Sequence, residues 1–200
     1  MGKGRLEAFS DGVLAIIITI MVLELKIPHG DSLNDLQPLI PIFISYILSF
    51  IYIGIYWNNH HHLMQVVHKV SGTVLWSNIH LLFWLSLVPF ATAWMGENHF
   101  SKWPVILYGF ILTMSGVAYY ILAHCLTIIH GKDSILVKAI GKDKKGIISI
   151  VLYVIGIIAA IFIHPWIGLS FYVMVAIIWF IPDRRIEKKI ETDQHPGEKN

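Results

Sequence analysis

Arg5-Leu6-Glu7-Ala8-Phe9-Ser10-Asp11 runs straight into residues 12–25, a stretch in which Thr19 and Glu24 are the only interruptions to apolar side chains and glycine. A polar cluster therefore stands at the mouth of a hydrophobic helix. Facing lipid it would be expensive, so Arg5, Glu7, Ser10 and Asp11 are expected to face protein or water. Charge at that depth marks a candidate functional site. The plainer alternative is a juxtamembrane ion pair that anchors the helix.

The rest of the chain is built the same way. Of its 200 residues 56% are hydrophobic and 14% charged, and the apolar residues lie in long blocks rather than alternating with charge. A water-soluble core needs no such blocks, whereas a bilayer solvent does. Six blocks, at 6–27, 39–61, 74–95, 105–129, 146–163 and 166–181, are long enough or nearly long enough to cross. A span takes roughly 17–25 residues, so the fifth and sixth are at the short limit. They are separated by His164-Pro165, where proline denies a helix its amide donor. A tight hairpin is expected there, because one continuous helix would far exceed the bilayer thickness. The expected fold is all-α, a polytopic membrane protein of six transmembrane helices. Residues 1–182 would form the six-helix membrane domain and 183–200 a charged tail that begins helical and frays into disorder.

Loop charge sets the orientation. Segments 1–5, 63–73, 130–145 and 182–200 carry Lys3, Arg5, Lys69, Lys132, Lys138, Lys142, Lys144, Lys145, Arg184, Arg185, Lys188, Lys189 and Lys199. The opposite set keeps Lys26 and Lys102, beside Asp31, Asp35 and Glu97. Both termini are therefore expected to be cytoplasmic. Lys3 and Arg5 before an apolar run resemble a signal peptide. Yet Glu7 and Asp11 interrupt the approach and no small-residue cleavage site precedes Lys26-Ile27-Pro28, so the first helix is expected to be retained. Trp57, Trp94, Trp103, Trp166, Tyr52 and Tyr56 lie towards span ends, the positions of an interfacial aromatic belt, and anchoring is the expected role of all but Trp57.

Composition also excludes function classes. One cysteine, Cys125, leaves no disulfide framework and no Cys-rich metal site. A net charge of +2 gives no basic stripe for nucleic acid. His60-His61-His62 invites a metal reading, but three consecutive helical histidines point in different directions and no His-Glu-x-x-His pattern accompanies them. No metal and no cofactor are expected; a pH-sensing role for His60 or His61 is the more plausible use of these imidazoles.

At about 100° per residue, Arg5, Phe9, Gly12, Ile16, Thr19, Ile20, Leu23 and Ile27 share one stripe of the first helix. Asp11 falls nearly opposite, and Ser10 lies well off the stripe. Lining a passage, Ile16, Ile20 and Leu23 would form a hydrophobic constriction with Thr19 hydroxyls among them. The same stripe suits ordinary helix packing or lipid contact. A carboxylate one turn inside the span must find partners. Trp57, Asn58, Asn59, His60 and His61 on the second span, and Ser77, Asn78 and His80 on the third, reach the same membrane face.

The run Arg5-x-x-x-Phe9-Ser10-Asp11, followed by Gly12-Val13-Leu14-Ala15 and an aliphatic helix containing Thr19, resembles the signature first helix of the endosomal and lysosomal potassium channels and their prokaryotic relatives. Trp57-x-x-His60-His61, and Asn78 with Pro89-Phe90, resemble that family's secondary landmarks. The resemblance implies a potassium-permeable channel without a Thr-Val-Gly-Tyr-Gly filter loop, its pore lined by the first helices. Ile16, Ile20 and Leu23 would be the narrowest point and Thr19 the residue of selectivity. A single six-span repeat implies a homotetramer in a prokaryotic plasma membrane, with the bilayer and permeant monovalent cations, K+ above all, as its partners. Ser10 and Asp11 would tie the first helix to Trp57, His60, His61 and Asn78, so that Asp11→Ala should damage assembly or opening more than ion preference.

A secondary transporter or proton-coupled carrier is the alternative. Carriers place charge at mid-membrane and interrupt helices there. Here the middle of the first helix is aliphatic, and Pro41 and Pro89 are read as lying near span ends. An enzyme is not expected, since no oxyanion loop accompanies Ser10 with His60 or His80.

Overall fold

The computed structural model describes residues 2–65, 67–130 and 144–180. Among these residues there is no strand. The helices are α1 (Lys3–Leu23), α2 (Ile40–Gln65), α3 (Gly72–Ser86), α4 (Val88–Glu97), α5 (Lys102–His130), α6 (Lys144–Phe162) and α7 (Pro165–Phe180). A 3-10 turn over Leu33–Leu39 leads into α2, opened by a Ser32–Asp35 capping box. The expected tail, 183–200, and most of the basic segment 130–145 lie outside the described residues.

Five helical segments are long and apolar enough to cross a membrane: α1, the 3-10 turn with α2, α3 with α4, α5, and Lys145–Phe162. The sixth, α7, has 16 described residues, about 24 Å of helix against a hydrocarbon core of about 30 Å. It returns along α6 as the expected hairpin. Ile163 and His164 both donate to the Ala159 carbonyl, and Pro165 opens α7 where its missing amide costs nothing. The two helices touch through glycine. A Cβ on Gly168 would lie 2.6 Å from the Gly156 carbonyl oxygen and 2.7 Å from the Ala160 Cβ.

The third span departs from the continuous helix expected. Pro89 cannot donate to the carbonyl a turn earlier, so α3 stops at Ser86 and α4 restarts at Val88. Pro89 therefore sits inside a 26-residue span rather than near its end. Beyond α4, His99 (φ 50°) and Phe100 (φ 57°) form a left-handed pair. Its strain is offset where Phe100 is buried against Trp166, ring centroids 4.8 Å apart.

The core lies between α2, α4, α5, α6 and α7, and tyrosines fill it. Tyr52, Tyr108, Tyr153 and Tyr172 are all buried and stack in tilted or edge-on pairs. Tyr52 and Tyr56 are thus core residues, not members of an interfacial belt, whereas Trp103 and Trp166 are exposed. For Tyr52 the hydroxyl explains the difference. Tyr52 donates to the Tyr172 carbonyl, and Tyr108 bonds Ser49, which bonds Thr92. Phenols with polar partners on neighbouring helices need not reach the interface. Against this core α1 packs by one side, on α2, α3 and α4.

Candidate functional site

α1 has two chemically different sides. Leu6, Ser10, Leu14, Ile17 and Met21 recur every three or four residues and are buried. The opposite stripe is left uncovered by the rest of the chain: Phe9, Ile16, Ile20 and Leu23 are 52%, 58%, 42% and 80% exposed, and Arg5, Gly12 and Thr19 are exposed with them. Thr19 donates its hydroxyl to the Ile16 carbonyl at 2.9 Å, which leaves the oxygen lone pairs facing outward. Ile16, Ile20 and Leu23, the residues read as a constriction, thus share one open face with Thr19.

On the buried side, a directed hydrogen-bond chain crosses three helices. His60 on α2 reaches the Asn78 carbonyl oxygen on α3 through Nε2 at 2.8 Å. The Asn78 amide donates to Ser10 Oγ at 2.9 Å, and Ser10 donates to the Leu6 carbonyl at 2.9 Å. Since the Asn78 oxygen can only accept, Nε2 must carry the His60 proton. His60 Nδ1 is buried without a hydrogen-bond partner. All three side chains, Ser10, Asn78 and His60, are at most 1% exposed.

The flank of α1 facing α2 carries a second, more exposed set. Trp57 Nε1 donates to Asp11 Oδ1 at 3.0 Å, His61 Nδ1 lies 3.7 Å from Glu7 Oε1, and Lys3 Nζ donates to the Gln65 carbonyl at 3.2 Å. Trp57 also stacks on His61. The three contacts are steps of one antiparallel ladder: α1 advances by four residues each time and α2 retreats by four, so each rung is one turn above the last. The contacts of Glu7 and Lys3 were not anticipated from the sequence; that matched spacing of four was the signal that could have found them.

Of the other partners considered for Asp11, His80 instead accepts from Trp84 Nε1 at 2.9 Å. Ser77 donates to the Thr73 carbonyl at 2.9 Å and lies 3.3 Å from Cys125 Sγ, and Asn59 donates to the Ile55 carbonyl. Among the described residues no three His, Cys, Asp or Glu side chains gather as metal ligands. At the other membrane face Lys26 pairs with Glu97 at 2.5 Å. The hydrogen bond to that carboxylate holds the Lys26 ammonium above its ordinary range. Between the open face of α1 and the Pro89 break lies a groove of about 450 Å3, lined by Ile16, Ile20, Glu24, Pro89 and Phe90 among others.

Three comparisons bear on this arrangement. The family model described as endosomal/lysosomal potassium channel TMEM175 matches residues 5–89, the segment that holds both the open face and the hydrogen-bond chain. A potassium channel of Chryseobacterium sp. (strain P1-3) is 59% identical over 96% of this chain and 99% of its own length. A potassium channel of Streptomyces collinus is 33% identical over 62% of this chain and 65% of its own. The crystal structure of a lysosomal potassium-selective channel TMEM175 homolog from Chamaesiphon minutus superposes with a TM-score of 0.77. It covers 90% of this chain and 96% of that one at 29% identity.

Proposed function

The chain belongs to the family of the endosomal/lysosomal potassium channel TMEM175, and from that membership and the two-sided α1 we propose that it is a potassium-permeable channel whose pore is lined by the first helix of each subunit. One observation carries this reading. An apolar stripe containing Thr19 lies open on a helix that packs against the rest of the chain through Leu6, Ser10, Leu14, Ile17 and Met21. In a homotetramer four copies of that stripe face one another, with Ile16, Ile20 and Leu23 as a hydrophobic constriction and Thr19 within it. Conduction is passive, K+ is the permeant ligand rather than a cofactor, and no catalytic step is involved. Both termini are cytoplasmic by loop charge, and the plasma membrane of a prokaryotic cell is the location.

Selectivity follows from dehydration. Potassium sheds water more cheaply than sodium, so a narrow apolar ring penalises sodium more, and outward-facing Thr19 oxygens replace part of the lost hydration. Thr19→Val keeps the shape and removes those oxygens. The potassium-to-sodium permeability ratio in planar-bilayer recordings should fall while the tetramer stays intact on size-exclusion chromatography; unchanged reversal potentials would refute the assignment.

A carrier is favoured by one observation, the α3–α4 break, since carriers bind substrate at interrupted helices. Ser86, Leu87, Val88 and Pro89 at the break bring no charge themselves, and the carboxylate of the adjoining groove, Glu24, stands past the end of α1 rather than at mid-span. Potassium flux into liposomes that rises linearly with the gradient supports the channel; saturable flux with fixed coupling to a second ion supports the carrier.

A further inference from the structure

Among the described residues Glu24 is the one charged side chain lining the groove of about 450 Å3 along the open face of α1. Ser86 apart, the other walls of that groove are apolar. Glu24 follows directly on Leu23, the last residue of α1. It stands four residues beyond Ile20, about 6 Å further along the helix axis.

Helix capping does not account for an acid at this position. Glu24 is the C-cap of α1, where the helix dipole is negative and a cation is the stabilising choice, yet no basic residue stands in the last turn. Nor is the charge neutralised nearby. The ammonium two residues on, Lys26, is held instead by Glu97 at the end of α4, at 2.5 Å. Glu24 acts on Lys26 through space, without a hydrogen bond. Lys26 and Glu97 thus cancel one another and leave Glu24 as the uncompensated charge at the end of the stripe. Of the other carboxylates on this membrane face, Asp35 is taken up by the Ser32 capping box, and Asp31 is not among the walls of the groove.

We infer that Glu24 sets the rate at which K+ is supplied to the pore: its carboxylate, repeated in each subunit, concentrates cations above a ring of Ile16, Ile20 and Leu23 that attracts none. The inference rests on the pore proposed above and adds to it a residue that governs throughput rather than ion preference. An apolar ring offers an approaching ion no charge, so at low salt the supply of ions limits the current. Rings of acidic side chains raise that supply in cation pores. One carboxylate about 6 Å from an ion in water multiplies its local concentration about threefold. That distance lies inside the Debye length of about 8 Å at physiological salt and outside the ~3 Å of 1 M salt.

Single-channel recording of the purified full chain in planar bilayers, in KCl from about 10 mM to about 1 M, reads this supply as the Debye length shrinks from about 30 Å to about 3 Å. Glu24→Gln should lower the conductance about threefold or more at the low end and match the wild type at the high end, with the potassium-to-sodium permeability ratio unchanged. Glu24→Asp, which keeps the charge, should conduct as the wild type does. Replacing both members of the neutral pair, Lys26→Gln with Glu97→Gln, should also leave the conductance as it was. Wild-type current that Glu24→Gln leaves unchanged at low salt would overturn this inference alone. A wild type with neither current nor liposome flux would overturn the pore reading and this inference together. If Asp31→Asn were as effective as Glu24→Gln, the effect would belong to the whole membrane face and the role of Glu24 would fall. Loss of the tetramer on Glu24→Gln would make the carboxylate a contact between subunits, with the same result.

Discussion

Ser10 is the smallest member of the buried chain that joins α1, α2 and α3, and its hydroxyl is used twice, accepting from Asn78 and donating to Leu6. Removing it strands a donor where no water reaches, for the Asn78 side chain is fully buried. A stranded buried amide costs about 1–3 kcal/mol, so Ser10→Ala should lower the melting temperature of the detergent-solubilised protein. Asn78→Leu, which removes the donor as well, should cost less on the Ser10→Ala background than on the wild type. Additive losses in that double-mutant cycle would mean the two side chains are not coupled. Asp11 one residue later acts differently. Its partner Trp57 is 46% exposed, so the bond orients α1 against α2 more than it stabilises either, which is why Asp11→Ala is expected to disturb assembly or opening before ion preference. The sequence placed Ser10, Asp11, Trp57, His60 and Asn78 at one membrane face. It could not assign the pairing, because side chains of α2 and α3 at equal depth compete equally until the crossing angles are known.

At the scale of elements, the spans were legible because apolar runs of this length have few alternatives in any fold. The α6–α7 hairpin was legible because proline follows histidine where a span must end. The α3–α4 break was not. A proline a few residues inside an apolar block reads equally as a span end, and what distinguishes the two is whether α4 finds a packing partner, which it does on α2 and α5. Tyr52 and Tyr56 were misread for a related reason: residue type gives depth, not rotation about the helix axis. The hairpin yields a sharper expectation. A Cβ on Gly168 would press on the Gly156 carbonyl and on Ala160, atoms of backbone and a stub that cannot swing aside. Gly168→Ala should therefore cost about 1–3 kcal/mol through overpacking, whereas Gly54→Ala, facing open space, should leave the melting temperature unchanged within error. Equal melting curves for the two variants would remove the close approach of α6 and α7 as a determinant of stability.

For the whole molecule, the question is what covers the open stripe of α1. A monomer would leave Phe9, Ile16, Ile20 and Leu23 to lipid, where they are comfortable, so burial alone does not decide between a lipid-facing stripe and a pore. Water does. In an assembled pore the stripe faces the ion path, and hydrophobic residues there are wetted whenever the channel conducts; on a lipid-facing helix they never are. Substituting Leu23 or Ile20 by cysteine in a Cys125→Ser background, and adding a membrane-impermeant charged thiol reagent, turns that difference into a measurement. Leu23→Cys, at the end of α1, should react readily and lose potassium flux in liposomes. Ile20→Cys should react more slowly and faster under conducting conditions. Ile17→Cys points into the protomer, where Ile17 is 3% exposed, and should stay unmodified with its flux intact. Because Ile17 and Ile20 differ by less than one turn of depth, a contrast between them reports rotation of α1 rather than its distance from the surface. If Ile17 and Ile20 reacted alike, or if modification at Leu23 left the flux untouched, the stripe would be a lipid contact and the ion path would have to lie elsewhere in the assembly.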